Sequence, residues 1–331
     1  MQITKSDVTY RLDENWPKYP ESMQFETGAG VTIDDDDNIY LFHRDIEHWA
    51  AHPLAMSARM GRSTVSKFDR AGNFLGKWGH SEEPGFAVMA HTIYFIDGAI
   101  WTVDRDGHTV KKSDKRGNLL LTLGEFGKWG SSPDLFNGPT GVAVLNDGRI
   151  VVSDGYWNSR VVWFSPEGKY IKEIGGWGVQ PGQFIAPHAI AVLRDGRILV
   201  AESSRGDLHP YATQDGQIAE HRKKVFPNHK GRIQIFDSEG NYLTQWTHIK
   251  PFSLAVYGNR IYAADSHSDL VVLDGTTFEE LERHKNLAPF IHQMALDSHG
   301  DVYTASVNPE LRGELRGPEG PSHRHWIRVN D

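Results

Sequence analysis

The sequence predicts an all-β protein, a six-bladed β-propeller whose blades have four strands each. One hairpin pattern, two short apolar strands around a turn of Asp, Asn or Gly, recurs six times along the chain. A second hairpin, whose last strand carries aromatic residues, lies between the copies, so each period of about 40 to 50 residues supplies four strands. No segment shows the pattern of a helix of four turns, which argues against alternating β and α units.

The copies of the first hairpin define the blades in chain order. They are Gly30 to Phe42, Thr92 to Asp104, Gly141 to Asp154, Ala189 to Ser203, Ser253 to Asp265 and Gln293 to Ser306. The second hairpin is clearest in three places, which are Thr64 to Gly79, Val161 to Gly178 and Gly231 to Trp246. Together the two hairpins predict where each blade begins and ends.

The closure of the ring has two candidate segments, because the C-terminal part lacks a clear second hairpin. Either Val8 to Leu12 or His325 to Val329 can complete the sixth blade. The period is broken once, by a polar insertion rich in His and Lys at about residues 205–230, which we interpret as a long loop on the scaffold. Residues 1–331 are therefore predicted to form a single propeller domain with one inserted loop.

The composition limits the classes of function. The chain has 331 residues and a formal net charge of −8 without any basic block, so neither nucleic acid nor a membrane is expected as a partner. It has no cysteine, which excludes disulfides, thiolate chemistry and Cys-ligated zinc. Residues 1–13 contain no apolar signal-like segment, and no run of 18 apolar residues occurs, so we expect a cytoplasmic protein.

Three histidines stand at the start of the first hairpin in alternate blades. His91, His188 and His292 are 97 (188 − 91) and 104 (292 − 188) residues apart, which is about two periods. His188 and His292 also share a register, because each lies eight residues before the glycine of its turn, at Gly196 and Gly300. Equivalent positions of alternate blades converge on the central channel, so the spacing predicts three imidazoles around one axis.

Three converging imidazoles favour a metal site. A single His at a strand start is more often a hydrogen-bonded core or rim residue, and the chain has 17 histidines, but three matched registers outweigh coincidence. Catalytic zinc takes three protein ligands and keeps a position for water or substrate, whereas structural zinc takes four. We therefore predict a catalytic Zn²⁺ site, with another divalent transition metal as the open alternative.

One long stretch resembles a known family. Asp134 to Val192 contains, in order, FNGPT, DGYWNSR, FSPEGK, PGQF and a P-H strand start, and the pattern continues in FHR at residues 42–44 and GRIQIF at residues 231–236. This series resembles the peptidyl-α-hydroxyglycine α-amidating lyases, a family of NHL-repeat six-bladed propellers, in a divergent, bacterial-type form. The resemblance implies cleavage of an N-acyl hemiaminal to an amide and an aldehyde, with zinc on the hydroxyl and a tyrosine as base.

The resemblance also implies roles for individual residues. It places the three zinc ligands at His91, His188 and His292, the same set that the spacing predicts. It places the catalytic base at Tyr156 and an active-site arginine at Arg44. Acidification of a hydroxyl by a metal and its deprotonation by a phenol beside positive charge are chemically compatible steps.

Candidates for substrate binding come from the same motifs. Trp157 follows the tyrosine of DGYWNSR, and His43 is the middle residue of FHR. The family carries a second substrate-binding arginine directly after A-D, but this chain has Ser203 at that place. Arg205, two residues later, is the nearest candidate for the substrate carboxylate.

Gln293 and Arg160 are expected to have structural roles and not catalytic ones. The acidic residue that helps to bind calcium in the family is Gln293 in this chain, so the sequence gives no ground for expecting Ca²⁺. Arg160, at the end of DGYWNSR, is expected to tie a blade together by binding the backbone or Asp154.

Three functions remain open at this point. The favoured one is a zinc-dependent lyase that acts on a small hydroxylated, hemiaminal-like molecule. The architecture also permits a metal-dependent propeller hydrolase, of the lactonase or esterase kind and usually calcium-dependent, and a non-catalytic NHL interaction module. The inward imidazoles favour the lyase, because a calcium site uses oxygen ligands and an interaction module has no use for three imidazoles.

Overall fold

The computed structural model describes residues 8–21, 27–44, 64–79, 86–202, 231–265, 269–285, 287–288, 291–306 and 323–330. Within these ranges, 24 strands form six antiparallel four-stranded sheets and no helix is present, so the predicted six-bladed propeller is confirmed. Consequently no helix in these ranges is long and apolar enough to cross a membrane. The predicted loop at 205–230 lies outside the described residues.

Each of the first five blades consists of four consecutive strands. From the channel outward, the first blade has β2 (Thr27–Ile33), β3 (Ile39–Arg44), β4 (Thr64–Phe68) and β5 (Phe74–Trp78), and the second has β6 (Ala90–Ile96), β7 (Ala99–Asp104), β8 (Thr109–Ser113) and β9 (Leu119–Leu123). The third blade has β10 (Pro139–Val144), β11 (Ile150–Asp154), β12 (Arg160–Phe164) and β13 (Tyr170–Gly175), and the fourth has β14 (Pro187–Val192), β15 (Ile198–Glu202), β16 (Arg232–Phe236) and β17 (Tyr242–Trp246). The fifth blade has β18 (Pro251–Tyr257), β19 (Arg260–Asp265), β20 (Leu270–Asp274) and β21 (Glu280–His284). These inner and second strands are the copies of the first hairpin.

The sixth blade joins segments that are far apart in sequence. Its strands from the channel outward are β22 (Ile291–Leu296), β23 (Val302–Ser306), β24 (His323–Asn330) and β1 (Val8–Leu12). Strand β1 runs antiparallel to β24, with Tyr10 opposite Arg328 and Leu12 opposite Trp326. Both candidate segments therefore take part in the closure, and the inner strands of all six blades contact one another around the ring.

Burial decreases toward the outer strand of a blade, as the residue patterns require. Strand β12, with the sequence RVVWF, is buried along its whole length, whereas β13, YIKEIG, is exposed or half-buried throughout. Neighbouring blades pack through apolar side chains; Trp101 and Val103 of the second blade, for instance, share a cluster with Val142 and Val152 of the third. Burial of one such side chain contributes about 1.5–3 kcal/mol, so these faces hold the blades together.

One irregularity recurs in every blade, at the start of its inner strand. The pairing between the first two strands shifts there and skips one residue, as in a β-bulge. The skipped residues, which we call the bulge ring, are Ala29, His91, Thr140, His188, Phe252 and His292. A bulge redirects a side chain relative to the pleat of the strand, and such irregularities are frequent beside active sites.

Gln293 braces three blades across the channel. Its Oε1 accepts the backbone N–H groups of Val31 in the first blade, at 3.2 Å, and Ile93 in the second, at 3.0 Å, while its Nε2 donates to the Ile93 carbonyl at 2.6 Å. A Cβ at Gly30 would lie 2.6 Å from Gln293 Oε1, so a larger residue there would displace this amide. Where the family has an acidic residue, this chain thus has a neutral side chain that bonds directly to main-chain groups.

Arg160 ties the third blade together, as the sequence predicts. It donates from Nε to Asp154 Oδ2 at 2.9 Å and from its terminal nitrogens to the carbonyls of Ser131 and Leu135, each at 2.7 Å. The side chain of Asp154 is fully buried, and that of Arg160 nearly so. This bonded pair closes the loop of residues 131–135 over the end of β11 and β12.

Candidate metal centre

The bulge ring brings the three predicted histidines together. His91, His188 and His292 stand at the same point of the second, fourth and sixth blades, and each is at most 3% exposed. One ring nitrogen of each lies within 4.8 Å of the corresponding nitrogens of the other two. The ring centroids are 4.7 to 5.2 Å apart, so the three imidazoles face one small volume at the channel.

The alternate members of the bulge ring orient these imidazoles. Nδ1 of His91 lies 2.9 Å from the Thr140 carbonyl, Nδ1 of His188 lies 2.8 Å from the Phe252 carbonyl, and Nδ1 of His292 lies 2.6 Å from the Ala29 carbonyl. A carbonyl only accepts, so each Nδ1 carries the proton and each Nε2 presents a lone pair. Metal-binding histidines commonly use this arrangement, which fixes both the tautomer and the ring direction.

The protonation state also suits metal binding. Burial, reinforced by the other two imidazoles and by Arg44 and Arg105, holds the pKa of His91 well below its usual range. Burial, with contributions from His188 and Arg44, likewise lowers the pKa of His292, against the opposing effect of its bond to Ala29. A metal binds the neutral imidazole, so these two ligands need not lose a proton near neutral pH.

Tyr156 places its hydroxyl against two of the ligand nitrogens. Its Oη lies 3.1 Å from His91 Nε2 and 3.2 Å from His188 Nε2. A phenol has one proton and can donate to only one of two Nε2 lone pairs at a time, so the other contact joins two acceptors. A cation among these atoms removes that conflict. The donor set of three neutral nitrogens beside a phenol oxygen therefore fits a divalent transition metal.

Arg44 reaches the same region from the first blade. Its side chain is buried, and its Nε donates to the carbonyl of Ala90, the residue before His91. Burial and the repulsion of Arg105 lower the pKa of Arg44 to about 10, against the attraction of Tyr156, Asp106 and Asp104. Arg44 therefore stays cationic at neutral pH.

Arg105 is a site residue that the sequence analysis missed. Its Nε and Nη2 donate to the two carboxylate oxygens of Asp106, at 2.6 and 3.0 Å. Its guanidinium carbon lies 5.2 Å from the centre of the Tyr156 ring. The available signal was its position directly after Asp104, the acidic end of a second strand, which lies opposite Ala90 beside His91.

The predicted substrate-binding residues have different surroundings. The ring of Trp157 lies 5.8 Å from that of Tyr156 and 6.2 Å from that of His108, beside the candidate centre. His43 contacts Ser66 Oγ through Nε2 at 2.8 Å, and its ring lies 6.3 Å from that of His323, between the first and sixth blades. Arg205 and Ser203 lie outside the described residues, so the role of Arg205 stays a prediction.

A second group of potential ligands lies at the opposite end of the sixth blade. Asp297, Asp301 and His325 bring three ligand atoms within 4.8 Å of one another. Arg70, from the turn between β4 and β5, donates to Asp297 at 2.7 Å and to Asp301 at 2.6 Å. One guanidinium thus already binds both carboxylates, and the group joins the first blade to the sixth as an ion-pair network.

Comparison with known proteins gives this geometry a family context. The NHL repeat model matches residues 136–164. The chain is 33% identical over 165 residues, 44% of its length, to peptidylglycine alpha-amidating monooxygenase of Rattus norvegicus. It is 28% identical over 172 residues, 49% of its length, to peptidyl-alpha-hydroxyglycine alpha-amidating lyase 2 of Drosophila melanogaster. Over about half of its length the chain is similar in sequence to these amidating enzymes. The resemblance predicted from the motifs is therefore confirmed.

The chain corresponds to less than half of the length of these two relatives. The match covers 16% of the rat monooxygenase and 41% of the fly lyase. A solved streptogramin B lyase aligns over 97% of this chain and 98% of its own with a TM-score of 0.54, at 12% identity. At that identity the structural likeness supports the propeller fold alone.

Proposed function

We propose that this protein is a zinc-dependent lyase that cleaves a small hydroxylated, hemiaminal-like substrate with Tyr156 as the base. The observation that carries the proposal is the position of Tyr156 Oη, 3.1 Å from His91 Nε2 and 3.2 Å from His188 Nε2. One proton-transferring oxygen thereby lies against the predicted ligand atoms of an open three-histidine centre. The sequence similarity to amidating enzymes supports the same class of reaction.

In the proposed reaction, one proton passes from the substrate hydroxyl to Tyr156 and then to the amide nitrogen. A zinc ion held by the three Nε2 atoms would act as a Lewis acid and acidify a substrate hydroxyl. Tyr156, as the phenolate, accepts the hydroxyl proton at Oη. The electron pair left on the hydroxyl oxygen forms a carbonyl while the C–N bond breaks, and Tyr156 returns the proton to the departing amide nitrogen. The products are an amide and an aldehyde, and no water is consumed.

Arg44 contributes charge and not a proton. Its buried guanidinium stays cationic at neutral pH, and Tyr156 is among the groups whose charge acts on it. A fixed cation in a site shielded from water stabilises the negative charge on a nearby oxygen without reorganisation during the reaction. Trp157, packed beside Tyr156, would line the space for the substrate.

Metal analysis of the purified full-length chain is the first test. We expect about one transition metal ion per chain by elemental mass spectrometry, predominantly zinc. In His188→Ala the metal should be lost. In Thr140→Val, which changes a bulge-ring side chain and keeps the carbonyl that accepts from His91, the metal should remain. A parent protein without transition metal, or a His188→Ala variant that retains it, contradicts the proposal.

Product analysis separates the lyase from the hydrolase. N-acyl-α-hydroxyglycine and simpler N-acyl hemiaminals should yield equal amounts of amide and aldehyde above the spontaneous rate. The activity should disappear on chelation and return with Zn²⁺. Hydrolysis of lactones or aryl esters that returns with Ca²⁺ and not with Zn²⁺ would instead assign the site to a propeller hydrolase.

A further inference from the structure

Arg105 is held rigidly before it reaches Tyr156. Its backbone N–H donates to the Met89 carbonyl at 3.1 Å. The preceding residue, Asp104, accepts N–H groups of Val88 and Met89, both at 2.8 Å, and of Gly107 at 3.0 Å, so one buried carboxylate fixes both loops around Arg105. The guanidinium therefore starts from a defined main-chain position beside His91.

Asp106 then fixes the plane of the guanidinium. The two parallel bonds, Nε to Oδ1 at 2.6 Å and Nη2 to Oδ2 at 3.0 Å, form the bidentate fork that determines both direction and tilt. The Asp106 side chain is 1% exposed and that of Arg105 12%, so the pair is shielded from water. Although burial acts in the opposite direction, Asp106 and then Tyr156 raise the pKa of Arg105 above its ordinary value. The arginine is a permanent cation.

Tyr156 contacts the Arg105 guanidinium both through its ring and through its hydroxyl oxygen. The guanidinium carbon is 5.2 Å from the centre of the phenol ring, within the range of a cation–π contact. The side chains of Arg105 and Tyr156 are also hydrogen-bonded, and a guanidinium can only donate, so the phenol oxygen accepts. With His91 and His188 on the same oxygen, the position of Oη is set from three sides.

Arg160 shows how a purely structural arginine behaves in the next blade. It also pairs with a buried Asp, but its other donors stay within the third blade and the loop before it, at the Glu173 carboxylate and the main-chain carbonyls of Ser131 and Leu135. Arg105 instead crosses from the second blade to a side chain of the third. We propose that Arg105, held by Asp106, is a positioning residue that orients Tyr156 and stabilises negative charge on its oxygen, an inference that rests on the proposed role of Tyr156 as base.

Three variants test this role in the full-length protein. They are Arg105→Gln, which removes the charge, Arg105→Lys, which restores it without the fork, and Asp106→Asn, which weakens the fork. Arg149→Gln is the matched control, because Arg149 makes a similar bond from Nε to Asp147, at 2.7 Å, in the turn at the far end of the third blade. Metal content and the melting temperature of each variant establish that fold and centre are intact.

The kinetic expectation is a loss in kcat. Arg105→Gln should lower kcat for hemiaminal cleavage about 100-fold with KM little changed, as expected when an interaction that stabilises developing charge is removed. Arg105→Lys should recover part of this loss, Asp106→Asn should lose less than Arg105→Gln, and Arg149→Gln should match the parent. A raised KM with unchanged kcat in Arg105→Gln would overturn the proposal and assign Arg105 to substrate binding.

A substrate-free measurement keeps this test independent of the proposed function. Crystal structures of the parent and of Arg105→Gln compare the position of Tyr156 Oη relative to His91 Nε2 and His188 Nε2 without substrate. In Arg105→Gln the phenol ring should move away from these two atoms or occupy more than one rotamer, whereas in Arg149→Gln it should keep the parental position. A single, unmoved conformer in Arg105→Gln overturns the role of Arg105 even when the parent is an active lyase. Conversely, a parent without metal or activity in which the ring moves contradicts the proposed function and supports the contact.

Discussion

The two halves of the bulge ring share a backbone geometry but contribute different chemistry. In the second, fourth and sixth blades the skipped residue is a histidine, whose side chain points toward the centre. In the first, third and fifth blades it is Ala29, Thr140 or Phe252, and the contribution is the main-chain carbonyl. A sixfold repeat thus becomes a threefold centre through one side chain in every second blade.

The histidine positions and the carbonyl positions should differ in their response to substitution. An imidazole is lost by changing one residue, whereas a carbonyl oxygen remains whatever side chain is attached to it. Ala29, Thr140 and Phe252 have nothing in common as side chains, which agrees with a role carried by their backbone. The two halves should therefore respond oppositely to mutation.

The largest expected effect is the loss of an imidazole. His292→Ala should abolish stoichiometric metal binding and hemiaminal cleavage, because two imidazoles leave the centre one ligand short. Metal titration and elemental analysis, with His323→Ala as a control for a buried histidine outside the ring, measure it. If His292→Ala still bound metal tightly, the histidine side chains would not be required, and the two sets of bulge-ring positions would not differ in function.

Loss of the Tyr156 hydroxyl should rank next. Tyr156→Phe should lower kcat about 10²–10⁴-fold, the usual contribution of a general base, while metal content stays at the parental level. The ratio of metal to protein and the rate of amide release, measured on the same sample, provide the check. If the metal left together with the activity, Tyr156 would belong to the ligand set and not to proton transfer.

A structural substitution in the third blade should affect stability without affecting the centre. Arg160→Gln leaves the buried carboxylate of Asp154 without its cation, so the free energy of unfolding should fall by about 3 kcal/mol. Urea denaturation measures this loss, and the metal content of the folded variant should be unchanged. Destabilisation below about 1 kcal/mol would mean that the main-chain bonds of this region suffice.

The smallest expected effect is at a bulge-ring residue that contributes only its carbonyl to the centre, such as Thr140 in the third blade. Thr140→Val removes a hydroxyl that bonds to Ser153 and to the Pro187 carbonyl, but it leaves the carbonyl that accepts from His91. Stability should fall by about 1 kcal/mol, and metal affinity should be the same as in the parent. A change in metal affinity of tenfold or more in a competition titration would show that the side chain, too, takes part.

The sequence predicted the features that repeat and missed those that depend on single loops. Hairpin patterns repeat in every blade, so the six sheets and the converging histidines could be found by counting. The bulge-ring position of the fifth blade, Phe252, could not be assigned in this way, because the register shift adds a residue that a pattern of apolar positions does not reveal. Arg105 was missed because its approach to Tyr156 depends on the course of one turn.

The ring closure illustrates the same limit. Val8 to Leu12 and His325 to Val329 were alternatives as sequences, since either resembles a strand that could end the sixth blade. The structure uses both, pairing Leu12 with Trp326. Local pattern predicts a strand, but only the geometry of the whole ring determines how many strands the last sheet requires.

The brace made by Gln293 has a practical consequence. The Gln293 side chain is part of the polypeptide, so dialysis cannot remove it as it would a bound ion. Its carboxamide is also neutral, so these hydrogen bonds do not depend on a titrating charge. If EDTA removes a metal from the three histidines, the link between the sixth, first and second blades should therefore stay in place. The emptied protein should keep its architecture, which makes it a clean starting material for loading one metal after another.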